Sequence, residues 1–260
     1  MILPKQKVPA SETEARVLVL FSKPKVGKTT MLSHLENNLI IDTEHGSDFI
    51  DALKVSVNTF DDFVEVINQL KKENKPYKYV TIDTLTSFED MCVTFAERKY
   101  AQTAMGKNWE IRLPNGKLDP TCQKKLVGNI LNLPMGQGYR YLREAVSECI
   151  NELKNVCQRV ILVCHLKDSV LEEKGIQFQT KDVDLTGKVK SLLTSRCDAI
   201  GYVHRKGNQN IITFNPNGEV LDGSRPKHLM NKDIVISEID DEGTYHCYWS
   251  RIFTDEKDQN

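Results

Sequence analysis

The chain has 260 residues, enough for one well-packed core, and its formal net charge of −1 gives no global field toward nucleic acid or a membrane surface. Its seven cysteines form no C-x-x-C pair and no zinc-binding spacing, which excludes a small zinc module and predicts reduced thiols in a cytosolic compartment. The first sixteen residues lack the apolar stretch of a signal peptide, and no apolar run is long enough to cross a bilayer. We therefore expect a cytoplasmic protein with no membrane partner.

The first predicted element is an apolar strand (17–21) that leads, from Ser22, into the sequence S-K-P-K-V-G-K-T-T. This sequence follows the P-loop pattern G-x-x-x-x-G-K-[ST], in which loop N–H groups and a helix start hold phosphate oxygens. Lys28 can reach the β- and γ-phosphates, and Thr29 offers a hydroxyl to Mg²⁺. Ser22 replaces the first glycine, and we expect strain there if the turn needs a positive φ. The predicted nucleotide-binding residues are Ser22, Lys23, Pro24, Lys25, Val26, Gly27, Lys28, Thr29 and Thr30.

Two further predicted strands, separated by a helix over 61–72, are associated with acidic residues. Glu44 follows the strand 38–42, and Asp83 ends the strand 77–83. Open α/β sheets bind ligands at the carboxyl ends of their strands, so both carboxylates are expected beside the P-loop. Asp83 suits the Walker-B role of holding the Mg²⁺ shell, although an aspartate here is also a common helix N-cap. Glu44 can take a proton from an attacking water or be a solvated loop acid, and its spacing leaves both open.

A polar stretch over 100–138 interrupts the alternation after a helix predicted over 87–99. Between Arg98 and Arg143 there are nine basic residues and two acidic ones, with aromatic residues among them. Aromatic rings beside a basic track suit base stacking and phosphate neutralisation, while a solvated insertion anchored by its tryptophan explains the same composition. The nucleic-acid contacts that we predict are Lys107, Trp109, Arg112, Lys117, Lys124, Lys125 and Arg140.

A helix predicted over 139–157 precedes the most apolar strand of the chain, 159–164, and His165 follows that strand directly. A histidine at this position can hydrogen-bond the γ-phosphate and signal hydrolysis to the next loop, or it can be a satisfied structural residue. The segment 166–186 is acidic overall and contains Phe178. We interpret it as a mobile loop that orders on nucleotide or DNA binding.

The last third of the chain has a different pattern from the first two. Strands over 199–204 and 210–214 flank Gly207-Asn208, which predicts a β-hairpin. The earlier strands alternate with helices and are apolar on both faces, which predicts an α/β fold with a mostly parallel sheet. We divide the chain into an N-terminal arm (1–15) and a single domain (16–260), with the basic insertion at about 100–138 and a C-terminal β extension from about 199.

The order of these motifs resembles that of the RecA-like ATPase core over roughly residues 15–205. Ile41-Asp42-Thr43-Glu44-His45 is similar to the family's catalytic-glutamate motif, and Ile82-Asp83-Thr84 is similar to Walker B. His165 falls where the family has a polar sensor, often Gln. The segment Val163-Cys-His-Leu-Lys-Asp168 and the segment Asp198-Ala-Ile-Gly-Tyr202 resemble phage-encoded AAA-type nucleotide-binding proteins that act as RecA-like single-strand annealing proteins.

This resemblance implies a three-layer P-loop NTPase of RecA-like type that hydrolyses ATP with Mg²⁺. It implies that Glu44, Lys28 and His165 are catalytic and that Thr29 and Asp83 bind the metal. It also implies a homo-oligomer on single-stranded DNA, with a single-stranded-DNA-binding protein or another recombination partner, in the host cytoplasm if the source is viral. RecA-like ATPases generally complete the site with a basic residue of the neighbouring subunit, for which the candidates are Arg205, Lys206, Arg225 and Lys227.

The expected function is therefore ATP-dependent annealing or strand exchange on single-stranded DNA. Two alternatives stay open at this point. One is a P-loop phosphotransferase that acts on a small molecule and uses the insertion at 100–140 as a lid. The other is a non-catalytic nucleotide switch whose assembly recruits DNA-replication or recombination partners.

Overall fold

The computed structural model describes residues 12–107, 129–173, 176–216 and 218–257, together with residues 3, 6, 7, 9 and 10. The strands are β1 (Val17–Ser22), β2 (Asn38–Asp42), β3 (Lys54–Ser56), β4 (Tyr79–Asp83), β5 (Arg159–Glu173), β6 (Ile176–Val183), β7 (Ala199–Lys206), β8 (Gln209–Thr213), β9 (Gly223–Ser224), β10 (Asp233–Ile239) and β11 (Tyr245–Cys247). The α-helices are α1 (Lys28–Ser33), α2 (Phe60–Lys72), α3 (Leu85–Ala101), α4 (Ala104–Lys107), α5 (Gln137–Val156) and α6 (Gly187–Arg196). Short 3-10 helices cover Ile130–Asn132, Pro134–Gly136 and Trp249–Arg251.

One sheet with the strand order β3-β2-β4-β5-β1-β7-β8-β10-β11 forms the centre of the fold. The strands from β3 to β7 along this order are parallel, and β8, β10 and β11 continue the sheet in antiparallel fashion. The helical crossovers between early strands explain the parallel part, and tight turns explain the antiparallel part. The predicted α/β fold, with a mostly parallel sheet and a C-terminal β-hairpin, is confirmed.

Two apolar cores lie on opposite faces of this sheet, because successive side chains of a strand point to opposite faces. In β1, Val19 and Phe21 face a core that includes residues of α2, α3, α5 and α6. Leu18 and Leu20 face the other core, which includes residues of α1 and of the end of the chain. Burial on both faces explains why β1 is apolar without alternation.

Local capping shifts the helix boundaries slightly from the predicted ones. At α2, Thr59 and Asp62 form a reciprocal capping box, which starts the helix at Phe60. At α3, the N-cap is Thr84, whose hydroxyl accepts a hydrogen bond from the backbone N–H of Ser87. Asp83 is therefore not the helix cap that the sequence left open, and its carboxylate remains available for another role.

The segment after His165 differs most from the prediction, because it forms an antiparallel β-hairpin and not a loop. β5 continues beyond the central sheet, and residues 166–173 pair with residues 176–183 of β6. In this register Lys167 lies opposite Asp182 and Asp168 lies opposite Lys181, so opposite charges face each other across the strands. The mixed charge that we interpreted as a polar loop is thus explained by cross-strand pairing.

Several predictions fall on residues that the structure does not describe. Trp109, Arg112, Lys117, Lys124 and Lys125 lie outside the described residues, as do residues 1, 2, 4, 5, 8 and 11 of the N-terminal arm. Of the other predicted nucleic-acid contacts, Lys107 ends α4 and Arg140 lies exposed on α5, where it pairs with Glu144.

Two further expectations concern the cysteines and membrane spans. The six cysteines within the described ranges are free thiols and all are buried. Among the helices of the described ranges, none combines the length and the apolar character that a membrane span requires.

Candidate active site

The carboxyl ends of β1, β2 and β4 and the middle of β5, at His165, surround a cavity of about 500 Å³. The parallel register explains this convergence, since Ser22 lies opposite His165 and Asp42 lies opposite Asp83. The cavity is lined by Pro24, Lys25, Gly27, Lys28, Thr29, Thr30, Asp42, Glu44, Gly46, Ile50, Asp83, Thr84 and His165. All five residues predicted to be catalytic or metal-binding therefore lie around one cavity. A larger cavity of about 800 Å³ lies at the amino edge of the sheet, away from the P-loop.

The P-loop places its unusual backbone conformations at Lys25, with φ 62°, and at Gly27, with φ 101°. A side chain on Gly27 would be strained by this φ, and its Cβ would lie 3.3 Å from the amide nitrogen of Asn210. Ser22 is a buried residue of strand β1 and is not at a positive φ. The expectation of strain at Ser22 is therefore wrong, because the loop turns three residues later.

Ser22 has a different role, since its hydroxyl accepts a hydrogen bond from Nζ of Lys28 over 2.7 Å. The carbonyl oxygen of Lys23 accepts a second bond from Lys28 at 3.3 Å. Burial lowers the pKa of Lys28, and the negative charges of Asp83 and Glu44 partly offset this effect. The ammonium group is thus held by neutral oxygens in a place where an anionic ligand would compensate its lost hydration.

Thr29 and Asp83 form the part of the site that fits Mg²⁺. The hydroxyl of Thr29 donates to Oδ2 of Asp83 over 2.7 Å. Burial raises the pKa of Asp83, and the hydrogen bond from Thr29 and the charge of Lys28 partly offset this effect. Hydroxyl and carboxylate oxygens are the ligands that Mg²⁺ prefers, and a cation here would compensate the buried carboxylate. Across the described ranges no three His, Cys, Asp or Glu side chains form a metal site, so phosphate and water oxygens would supply the remaining ligands.

Glu44 is fixed by three hydrogen bonds to its Oε1 atom. The hydroxyl of Thr84 donates over 2.6 Å, the hydroxyl of Ser87 also donates, and Nε2 of His165 lies 2.9 Å away. Burial would raise the pKa of Glu44, but the hydrogen bonds from Ser87, Thr84 and His165 outweigh it, so the pKa is lowered. Glu44 is therefore an ionised carboxylate at neutral pH, held in one orientation.

Asp42 organises the loop that carries Glu44. Its carboxylate accepts backbone hydrogen bonds from Glu44 at 3.0 Å, Gly46 at 3.3 Å and Ser47 at 2.9 Å. Burial would raise the pKa of Asp42, but these bonds and the hydroxyl of Ser47 lower it. The sequence interpretation assigned no role to Asp42, although its place inside the glutamate motif could have indicated one.

His165 joins the cavity to the β5–β6 hairpin. Its backbone N–H donates to the hydroxyl of Thr86 over 3.1 Å, and its carbonyl accepts from the N–H of Asp184 over 2.9 Å. Its ring contacts Glu44 through Nε2, while Nδ1 is buried and has no hydrogen-bond partner among the residues that the structure describes. The predicted base and the predicted sensor are thus in direct contact, which the sequence did not indicate.

The remaining predicted residues lie in different places. Ser22 and Lys23 contact Lys28, and Val26 packs against the core on the α1 face of the sheet. Arg205 and Lys206 end β7 at the carboxyl edge of the sheet, outside the cavity. Arg225 pairs with Asp198 at 3.3 Å, at the amino edge, and Lys227 lies beside it. None of these four candidate trans-acting residues lines the cavity of its own chain.

Comparisons with known proteins found solved structures that are similar to this chain, and a matching family. The crystal structure of the RadB recombinase is similar to this chain at 13% sequence identity and a TM-score of 0.42, covering 89% of this chain and 90% of that chain. Among the curated proteins, none matches. A family model described as an AAA domain matches residues 14–226, which include every residue around the cavity. Because this match covers most of the 260 residues, the chain belongs to this AAA domain family.

Proposed function

We propose that the chain is an ATPase that binds ATP with Mg²⁺ in the cavity at the carboxyl edge and hydrolyses it to ADP and phosphate. One observation carries the proposal. Lys28, Asp83 and Glu44 come from separate parts of the sequence and surround the same cavity. Lys28 suits phosphate binding, Asp83 suits Mg²⁺ binding, and Glu44 suits proton transfer from water. Membership of the AAA domain family supports nucleotide use at this site.

Phosphate binding is assigned to the P-loop. Lys28 would exchange its hydrogen bonds to Ser22 and Lys23 for phosphate oxygens, and Thr29 and Asp83 would hold Mg²⁺. When bound, Mg²⁺ neutralises the charge of the β- and γ-phosphates.

Water activation is assigned to Glu44. A carboxylate with a lowered pKa stays ionised at neutral pH and can accept the proton of the attacking water. His165 would orient Glu44 and respond to the loss of the γ-phosphate, because it touches Glu44 and begins the β5–β6 hairpin.

The variant Glu44→Gln tests this assignment. It keeps the shape of the side chain and removes its basicity, so we expect ATP binding to be retained and turnover to fall by about 100-fold to 10,000-fold. Binding is measured by calorimetry and turnover by phosphate release. Glu36→Gln is the matched control, since Glu36 is exposed and lies outside the cavity. Near-normal turnover in Glu44→Gln would remove Glu44 from the mechanism.

We infer further that the ATPase acts as a homo-oligomer on single-stranded DNA and promotes annealing or strand exchange. The excess of basic over acidic residues between 98 and 143 supports the DNA contact. Arg205 and Lys206 lie on the same sheet edge as the cavity, which favours them over Arg225 and Lys227 as residues that complete a neighbouring site. A phage source, a host-cytoplasmic location and a single-stranded-DNA-binding protein as partner belong to the same proposal, as does the division into an arm (1–15) and one domain (16–260).

Two measurements test this finer function. ATP turnover is measured with and without single-stranded DNA, and the size of the complex is measured with ADP and with a non-hydrolysable ATP analogue. We expect DNA to stimulate turnover and the analogue to favour the larger complex. If DNA does not change turnover, a phosphotransferase is favoured. If the analogue drives assembly and no turnover is measured, a nucleotide switch is favoured.

A further inference from the structure

The far end of the P-loop helix α1, away from the cavity, accepts hydrogen bonds from two side chains, one nearby in the sequence and one far along the chain. α1 has only six residues, so most of its carbonyl groups cannot be satisfied within the helix. The indole Nε1–H of Trp249 donates to the carbonyl oxygen of Met31 over 2.7 Å, and the amide of Asn38 donates to the carbonyl oxygen of Leu32 over 3.0 Å. The position of this helix end is therefore set by directed contacts.

Apolar packing supports the same contact. Met31 and Leu32 belong to a buried cluster with Trp249, Ile252 and Phe253. Trp249 is 2% exposed, and its ring stacks on Phe253 with the centroids 6.0 Å apart. Large aromatic side chains in such stacks have few alternative positions. The helix α1 thus packs against the stacked rings of Trp249 and Phe253 in this buried cluster.

Trp249 belongs to the C-terminal segment 227–257, which lies beyond the residues that the AAA domain model matches. Through Ser237, the same segment also contacts Asn210 of β8, whose side chain lies against the P-loop. The amide of Asn210 lies against Gly27 and donates to the hydroxyl of Ser237 on β10 over 3.0 Å. The segment therefore contacts the side chain that packs against the nucleotide-binding loop.

We propose that Trp249 is a positioning residue for the P-loop: its hydrogen bond to Met31 sets where Lys28 and Thr29 stand relative to bound phosphates. α1 is about 9 Å long and has fewer than two turns, so a displacement at its end moves its beginning. Trp249 does not line the cavity, and it acts through the helix alone. The inference rests on the proposed function, because it concerns nucleotide binding at that site.

The variant Trp249→Phe tests this role, because it keeps an aromatic ring and removes the indole N–H. We expect the Kd and the KM for ATP to rise about fivefold, the effect of losing one hydrogen bond, while kcat stays within about twofold of wild type. Calorimetry gives the Kd, and steady-state phosphate release gives KM and kcat. A residue that acts only on global stability would leave the affinity of the folded protein unchanged.

Ile252→Val is the matched control for packing. It removes one methylene from the same buried cluster and leaves the bond between Trp249 and Met31 in place. We expect a lower Tm and an unchanged Kd for ATP. If Trp249→Phe binds ATP as tightly as Ile252→Val and wild type, the inference is wrong while the proposed function stands. If wild type does not bind ATP at all, both are wrong.

A second measurement serves if Trp249→Phe does not fold. The chain has two tryptophans, so Trp109→Phe leaves Trp249 as the only one. We expect ATP with Mg²⁺ to shift the emission of Trp249, because its indole is bonded to α1. An unchanged emission at saturating ATP, with binding verified by calorimetry, would contradict the inference and leave the proposed function intact.

Discussion

Both edges of the sheet contain buried charged groups. At the amino edge these groups pair with opposite charges, whereas at the carboxyl edge they hydrogen-bond to neutral groups. At the amino edge, Arg159 lies 2.8 Å from Asp255 and donates to the hydroxyl of Tyr79 over 2.9 Å. The hydroxyl of Tyr79 donates in turn to Glu256, which also pairs with Lys78. At the amino edge, every one of these charges has an oppositely charged partner within the chain.

At the carboxyl edge, Lys28 and Asp83 are buried side by side with neutral partners. Lys28 donates to oxygens of Ser22 and Lys23, and Asp83 accepts from the hydroxyl of Thr29. Neither has an oppositely charged partner within ion-pair distance among the residues that the structure describes. Charges that are desolvated without pairing lower stability, and they are retained where a ligand compensates them. The amino edge is therefore a stabilising cluster, and the carboxyl edge is arranged for a charged ligand.

The largest expected effect comes from Lys28→Ala. Removing the buried cation that is placed to bind phosphate at the base of the loop should lower ATP turnover by about 100-fold or more, as removal of a transition-state donor does. Because the lysine is desolvated and has no ion pair, we expect its loss to leave the Tm of the free protein unchanged or raised. Turnover and thermal melts of the purified variant check both parts. Lys71→Ala, which removes an exposed ion pair with Glu152, is the control with normal turnover.

Arg159→Met, at the amino edge, should lower stability and not turnover, the reverse of the result expected for Lys28→Ala. Arg159 is 6% exposed, and its guanidinium lies over the rings of Tyr79 and Phe253. Its loss should lower the free energy of unfolding by about 2 kcal/mol, because a buried hydrogen-bonded ion pair is broken while Asp255 stays partly solvated. Urea denaturation measures this. A large loss of turnover per folded molecule, well below the Tm, would contradict the division between the two edges.

One aspartate at each edge should give the stability of the protein an opposite dependence on pH. The pKa of Asp83 is raised by burial, so its ionisation costs folding free energy above the ordinary aspartate range. Burial would also raise the pKa of Asp255, but hydrogen bonds from Arg159 and Lys78 and their charges outweigh it and lower the pKa, so its stabilisation is present at neutral pH and is lost as the pH falls through its folded pKa.

At pH 7 we therefore expect Asp83→Asn to raise the free energy of unfolding of the free protein by roughly 1 kcal/mol, and Asp255→Asn to lower it. The difference for Asp83→Asn should shrink as the pH falls through the raised pKa of Asp83 toward the ordinary aspartate value, and the difference for Asp255→Asn should shrink as the pH falls below that value. Urea denaturation over a pH series measures them. Equal signs for the two variants at pH 7 would contradict the comparison.

The smallest expected effect is that of Ser22→Ala. The variant removes the side-chain acceptor that holds Lys28 and leaves the strand geometry unchanged. We expect the KM for ATP to change by about threefold, the effect of one hydrogen bond that phosphate oxygens replace in the bound state. Ser33→Ala on the same helix is the control, since its hydroxyl donates to the backbone carbonyl of Thr30 within the helix and Ser33 does not line the cavity. A change of several orders of magnitude would mean that Ser22 contacts the nucleotide itself.

The positions of Lys28, Glu44 and Asp83 around the cavity could be predicted because strand ends and P-loop spacing are local patterns with one geometric outcome. Parallel strands bring their carboxyl ends to the same edge, whatever lies between them in sequence. The contact of Glu44 with His165 could not be predicted, since it depends on strand register and on the rotamers of two side chains that are 121 positions apart in the sequence. Ser87 is likewise part of the site only because α3 starts two residues earlier than its periodicity indicates.

The β5–β6 hairpin and the support of α1 by Trp249 were also outside what the sequence could indicate. In the sequence alone, residues that form cross-strand charge pairs look like those of a polar loop, because each pairing partner lies more than ten residues away. The contact of Trp249 with Met31 spans 218 positions and follows no motif. Patterns within a short window predict elements, and long-range pairing decides how the elements meet.

The sheet ends on both sides in a very short strand. β3 (Lys54–Ser56) and β11 (Tyr245–Cys247) have three residues each. A short edge strand offers few free N–H and C=O groups, which is one way in which proteins prevent edge-to-edge aggregation. An assembly of this chain is therefore expected to form through side chains and loops, and not through a sheet that continues from one copy into the next.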